Sequence, residues 1–213
     1  MPISRRLTLL KPALMATLGL LISGSAGAAY SWQFSKVIGS NHQDQIKDLA
    51  FDPNEQYLYA VGYSDNNNPL NSGLNFTRSD QGYLLKYSET GAIIWQLEIG
   101  GDGTETAEGV AVGADGTIYV TGTYDETCRF YSSNGAVSAT SLALAGGTDI
   151  YLAAYNPAGT FLWAVRMAGA GEQSVPLIAV DASGITVLGE TVNQMTVTGT
   201  NAVSNSTNTL LSN

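Results

Sequence analysis

The frame Tyr-x-x-x-Gly-x-x-x-Trp occurs twice in this chain, as Tyr87-Gly91-Trp95 and as Tyr155-Gly159-Trp163, offset by 68 residues. The same offset carries Gly101 onto Gly169, Val110 onto Ile178, Val112 onto Val180 and Gly116 onto Gly184. A third, partial copy lies upstream, in Trp32 with Gly39, then Leu49-Ala50-Phe51-Asp52 and Tyr59-Ala60-Val61-Gly62. A repeat of this length means one supersecondary unit used several times, so the fold must be an array of that unit. Such arrays present surfaces.

Each unit reads as short strands. Ile93, Trp95, Leu97 and Ile99 alternate with Ile94, Gln96 and Glu98, and Phe161, Trp163, Val165 and Met167 repeat the pattern. Period-2 alternation marks a strand with one buried face. Trp32 and Phe34 give a shorter version. Glycine-rich turns follow at Gly100 to Gly103 and Gly169 to Gly171, then the slender strands Gly109 to Val112 and Leu177 to Val180. Asp115-Gly116 and Ser183-Gly184 are hairpin signals leading into Thr117 to Gly122 and Ile185 to Gly189. Tyr83 to Tyr87 and Ile150 to Tyr155 complete the set.

Four strands per unit and no helical periodicity predict an all-β chain, a β-propeller of four-stranded antiparallel blades. The reading groups Tyr83 to Tyr87, Ala92 to Ile99, Val110 to Val112 and Ile118 to Thr121 in one sheet. It gives units at about 32–95, 95–163 and 163–213, the last incomplete. Trp95 and Trp163 are expected to fill the gaps between blades. Ser64 to Ser79 and Tyr124 to Gly147 read as insertions within the unit, the second with strand material near Cys128 to Phe130 and Ser141 to Ala145. A propeller usually needs about four blades to close, so the set is incomplete. Trp32 to Lys36 is expected to lack a partner, and the chain to be a fragment prone to self-association through open blade edges.

Residues 1–28 read as a secretory signal peptide, leaving 29–213 as the repeat domain. Arg5, Arg6 and Lys11 form a positive start, Ala13 to Ile22 an apolar run, and Ala26-Gly27-Ala28 a cleavage site, with Gly27-Ala28-Ala29 an equal register. The run is too short for a membrane anchor. The expected location is periplasmic, extracellular or at the cell surface. Cys128 is the single cysteine, so no internal disulfide forms, and it reads as a small, half-buried strand residue.

Beyond residue 28 the chain keeps all 18 acidic residues and six basic ones, a net charge of −12. Such a surface repels nucleic acid and anionic lipid. Nothing in the mature segment reads as a membrane span.

Chemistry is sparse. His42 is the sole histidine, with Asp44 and Asp48 near it but no nucleophile elbow. Asp65 to Asn68 and Asp102 to Glu105 offer oxygens without the spacing of a calcium loop. Glu105 with Glu108, and Asp125 with Glu126, read as solvated turn residues. Asn75-Phe76-Thr77 and Asn205-Ser206-Thr207 fit a glycosylation sequon. No catalytic, cofactor-binding or metal-binding residue is assigned.

The Val-Ala-Val strand at 110–112, Asp115-Gly-Thr-Ile-Tyr-Val-Thr-Gly122, Gly147-Thr-Asp-Ile-Tyr-Leu-Ala-Ala-Tyr155 and Pro157-Ala-Gly-Thr-Phe-Leu-Trp163 resemble the SBBP type of bacterial β-propeller repeat. The resemblance runs from Trp32 to about Gly189. It departs from the pattern at Pro176, at Ile38-Gly39 and where Gln81 replaces Asp149. It implies an exported or surface bacterial protein, usually without a defined activity; the leading functional reading is a non-catalytic scaffold that binds a protein or glycan ligand through its blade loops. Glu89 to Trp95 also resembles the Trp-docking repeat of pyrroloquinoline quinone dehydrogenases, though Ser88-Glu89 replaces that family's Asp. A third alternative is a propeller hydrolase or lyase with its catalytic residues elsewhere.

Overall fold

The computed structural model describes residues 16–22, 31–38, 43–65, 80–191 and 195–199, and every regular element among them is a β-strand. Strands β1 (Ala16–Ile22) and β2 (Ser31–Ile38) pair antiparallel in a sheet of their own. The first full unit supplies β3 (Asp44–Phe51), β4 (Tyr57–Ser64), β5 (Gln81–Ser88) and β6 (Ile93–Gly101). The second supplies β7 (Glu105–Val112), β8 (Ile118–Tyr124), a hairpin of β9 (Cys128–Tyr131) and β10 (Val137–Leu142), then β11 (Asp149–Tyr155) and β12 (Phe161–Gly169). The third supplies β13 (Gln173–Asp181), β14 (Gly184–Thr191) and β15 (Met195–Gly199).

Two large sheets result, ordered β10-β9-β6-β5-β4-β3 and β15-β12-β11-β8-β7, with β13-β14 as a third, two-stranded sheet. All-antiparallel blades stand in sequence, with β3 packed on β7 and β7 on β13, and the sheets do not close into a ring. The sheet boundary is a correction. Val110–Val112 and Ile118–Thr121 do not join Tyr83–Tyr87 and Ala92–Ile99 but open the next sheet. The reason lies in burial: β5 is buried from Gln81 to Tyr87 and β11 throughout, so each is a central strand with a neighbour on both sides. Alternation assigns faces, not neighbours. Trp32–Lys36 is also corrected: it lies in β2 and pairs with β1, inside the segment read as a leader.

Within each blade one device recurs. The innermost strand bulges, between Ile46 and Asp48 in β3 and between Ala107 and Gly109 in β7. The Tyr83 hydroxyl donates to the Gln45 carbonyl at 2.7 Å, and the Tyr151 hydroxyl to the Thr106 carbonyl at 2.8 Å. Both bonds pass over a glycine. A Cβ on Gly62 would lie 1.8 Å from the Gln45 carbonyl oxygen, and one on Gly122 1.8 Å from that of Thr106. In β13 the register shifts between Ser174 and Leu177, so Pro176 sits at the matching bulge. A proline is tolerated there because a bulge frees its residue from the ladder.

Another departure in the repeat also resolves. The Gln81 side-chain oxygen accepts the Gly101 N–H at 2.9 Å, and Asp149 accepts the equivalent Gly169 N–H at 3.4 Å. Gln and Asp supply the same acceptor at the same place.

The core between the first two blades holds Tyr59, Val61, Leu84, Leu97 and Ile99 against Ile118, Val120, Tyr151, Ala153 and Tyr155. Tyrosines dominate it: Tyr59, Tyr83, Tyr87, Tyr124, Tyr151 and Tyr155 are all fully buried. Trp95 and Trp163 are half-buried, and each packs against an apolar cluster that includes residues of the following unit.

The residues 124–147 are more than an insertion. β9 leaves its own blade and pairs with β6 of the preceding one, Gly101 opposite Cys128, Gly100 opposite Arg129 and Ile99 opposite Phe130. β15 does the same to β12, with Gly169 opposite Met195, Ala168 opposite Thr196 and Met167 opposite Val197. The registers match residue for residue, so each unit adds an outer strand to the blade before it. Main-chain pairing thus ties successive blades together and covers an edge.

Gly122→Ala should cost on the order of 2–4 kcal/mol, because the added Cβ meets a backbone carbonyl that cannot yield cheaply. Tyr151→Phe should cost about 1–2 kcal/mol by orphaning that carbonyl. Denaturant melts of both variants check the clamp.

Candidate functional site

The turns at one end of the blades pack on one another. In the β11–β12 turn, Gly159 has φ of 80°, a conformation that disfavours any side chain, and its counterpart Gly91 has φ of 78°. A Cβ on Gly159 would also lie 3.1 Å from the Trp95 ring. The Trp of one copy of the frame therefore rests on the Gly of the next. The Trp95 indole N–H donates to the Pro157 carbonyl at 3.2 Å. Ser133, in the β9–β10 turn, donates from its amide to the Gly159 carbonyl at 2.9 Å and from its hydroxyl to that of Ala158 at 2.8 Å.

Beside this junction lies a pocket of about 250 Å³, walled by the β3–β4 turn with Asp52, Asn54 and Tyr57, by Asp115 of the β7–β8 turn, and by Pro157. Lys86 of β5 rises into it. Its ammonium sits 4.0 Å from the Tyr57 ring centroid, 5.5 Å from that of Tyr59 and 6.0 Å from that of Trp95, and donates to the Pro157 carbonyl at 2.9 Å. Burial lowers the Lys86 pKa, and the nearby Asp52 carboxylate partly offsets that. Asp52 is bound into its turn by the amides of Tyr57 at 2.6 Å and Asn54 at 3.2 Å. The result is a small concavity lined by Tyr57 and Tyr59, by Asp52, Asn54 and Asp115, and by Lys86.

The opposite end carries the acidic residues singled out in the sequence. They do not converge. Asp102 pairs with Arg129 at 2.9 Å, and Asp125 accepts the Thr104 amide at 2.6 Å. Among the described residues no group of three His, Cys, Asp or Glu is arranged to hold a metal ion. Glu105 and Glu108 are not solvated turn residues. Glu108 pairs with Lys47 at 3.4 Å across the two inner strands, linking the bulges of successive blades. Glu105 is 0% exposed, and its carboxyl lies against the Gly101 amide and the Gln81 side chain. Burial, with the Asp125 charge adding to it, pushes the Glu105 pKa up to about 8.

Cys128 is fully buried rather than half-buried, and burial raises its thiol pKa. Asp48, a candidate partner for histidine, accepts the Val110 amide of the next blade at 2.9 Å and the Leu49 amide at 2.8 Å. Asp44 accepts from the Ser64 hydroxyl. His42, Asn66 to Ser79 and both sequons lie outside the described residues. The sequence reading missed Lys86 and Tyr57. The only signal was a lysine within the otherwise apolar run Tyr83 to Tyr87.

With this geometry in view, the chain is similar to a WD repeat-containing protein of Acanthamoeba polyphaga mimivirus, itself described as uncharacterized, at 27% identity over 157 residues. The match covers 68% of this chain and 11% of that relative, so the chain spans about a tenth of its length. No described protein family matches the chain. The similarity and the successive antiparallel sheets together fit a β-propeller-like repeat fold.

Glu105 also makes stability pH-dependent. Its folded pKa lies above the ordinary 4.5, so folding takes up a proton, and stability falls as pH rises from about 4.5 through 8. Glu105→Gln, which installs the residue found at the equivalent Gln173, should flatten that fall. The gain should be about 1–3 kcal/mol at pH 9 and near zero at pH 4, read from urea melts across the range.

Proposed function

We propose that this chain is an exported, non-catalytic β-propeller-like scaffold of the SBBP type, which binds a protein or glycan ligand through the turns at one end of its blades. The observation that carries the reading is the pocket of about 250 Å³ where three turns of two blades meet around Tyr57, Asn54 and Lys86. Repeat arrays use such rigid scaffolds to display variable turns. Among the described residues no helix is long and apolar enough to cross a membrane. The export part rests on the leader-like segment 1–28 and the acidic remainder.

The third unit bears on assembly. Leu177 and Leu188 of the β13–β14 sheet are 61% and 66% exposed. Apolar residues on an open blade face favour association with a further blade, here one from a second copy of the chain.

Two measurements test the reading. Mass spectrometry of the secreted product should show loss of 28 or 29 residues, and an unprocessed cytoplasmic product would contradict export. Immobilised protein screened against glycan and peptide arrays should give hits that weaken at least tenfold in an Asn54→Ala/Tyr57→Ala variant with an unchanged melt. Hits indifferent to that variant would remove the pocket from the function. Leu177→Glu/Leu188→Glu should shift the chain toward monomer in size-exclusion chromatography with light scattering.

A further inference from the structure

Two of the three rings around Lys86 recur in the second blade without a lysine between them, with Thr117 where the first blade has Tyr57. In the first blade the Tyr59 and Trp95 ring centroids are 6.0 Å apart at an interplanar angle of 48°. In the second blade Tyr119 and Trp163 repeat both values, 6.0 Å and 48°. Lys86 stands opposite Tyr59 on β4 and Trp95 on β6. Ala154 stands in the same register, opposite Tyr119 on β8 and Trp163 on β12. The strand geometry therefore aims position 154 between the two rings, as it aims Lys86. Ala154 is fully buried, while both rings are half-buried and pack beside Ile150, Leu152, Val165 and Met167.

The first box shows which chemistry fits. Its occupant is an alkylammonium lying across aromatic faces, the arrangement in which a ring quadrupole attracts a cation. The second box keeps the Tyr119 and Trp163 rings, the counterparts of Tyr59 and Trp95, without that cation. Its surroundings are anionic. The β7–β8 turn of its own blade carries Asp115, close to Tyr119, and β13 of the next blade ends at Asp181. Both carboxyls are held below the usual range by bonds from Thr117 and Ser183 respectively. The whole chain has a formal charge of −9. No basic residue lies on β13 or β14 to fill the box from within.

We propose that the Tyr119–Trp163 box is a docking site for the ammonium group of a lysine side chain presented by a partner protein. It rests on the scaffold reading above but occupies a different junction from the Tyr57 pocket. The partner completes in trans what Lys86 completes in cis. The site selects charge, because only a cation gains from two ring faces and the flanking carboxylates.

The test follows tryptophan fluorescence during titration of the full chain with Nα-acetyl-lysine methylamide, against its Nε-acetylated, neutral counterpart. The charged probe should saturate at millimolar concentration and bind roughly tenfold more tightly than the neutral one. Ala154→Lys should abolish the response by filling the box. Tyr119→Leu should weaken it about tenfold and serves if Ala154→Lys does not fold. Lys86→Ala should add a second, similar site. Equal binding of charged and neutral probes, or a full response in both Ala154→Lys and Tyr119→Leu, would overturn the proposal. Asn54→Ala/Tyr57→Ala should leave this titration unchanged, so its outcome is separate from that of the scaffold reading.

Discussion

A carbonyl pushed out of register by a bulge organises each blade. The bulge in the innermost strand turns the Gln45 or Thr106 carbonyl toward the strand two places outward, and a buried tyrosine hydroxyl catches it. A buried carbonyl left alone would cost about 1–3 kcal/mol, so bulge and tyrosine must occur together. The strand between them must carry glycine, since the bond runs through the space a side chain would fill. Three strands are thereby fixed in register by one hydrogen bond. Pro176 fits the same scheme at the third bulge.

Blades so built are joined by three different contacts. At the axis, Lys47 pairs with Glu108 and Asp48 accepts the Val110 amide. At the periphery, β9 and β15 each extend the preceding sheet by main-chain bonds. At the turn end, Trp95 lies on Gly159 and bonds to the Pro157 carbonyl. The last contact lies beside the pocket at the turn end, whose lining includes Tyr59, Lys86 and Pro157. Variation enters there at Lys86, replaced by Ala154 in the next blade, and at Tyr57, replaced by Thr117. Architecture stays constant while the chemistry of the junction changes.

Much of this was legible in the sequence. The repeated frame identified the unit, alternation identified the buried faces, and Gly91 and Gly159 marked the turns. Strand partnership was not legible, because a period-2 pattern places a residue on a face without naming its neighbour. Alternation alone therefore sets the sheet boundary one hairpin too late and leaves β9 inside an insertion. Glu105 looked solvated because it stands in a polar turn sequence, yet its strand carries it inward to 0% exposure. The six fully buried tyrosines were hidden by their polar hydroxyls. Lys86 was hidden because a buried lysine among aromatic residues is recognised only once the rings are known to surround it.

The central claim is that successive units interlock, with β9 on β6 and Trp95 on Gly159. Nuclear Overhauser measurements on isotope-labelled protein test it most directly. Cross-peaks should join Ile99 to Phe130 across the β6–β9 ladder, and the Trp95 indole protons to the Gly159 Hα. If the strand Ile93–Gly101 instead showed ladder cross-peaks to Val110–Val112, with none to Phe130 or Gly159, the interlocked arrangement would be wrong.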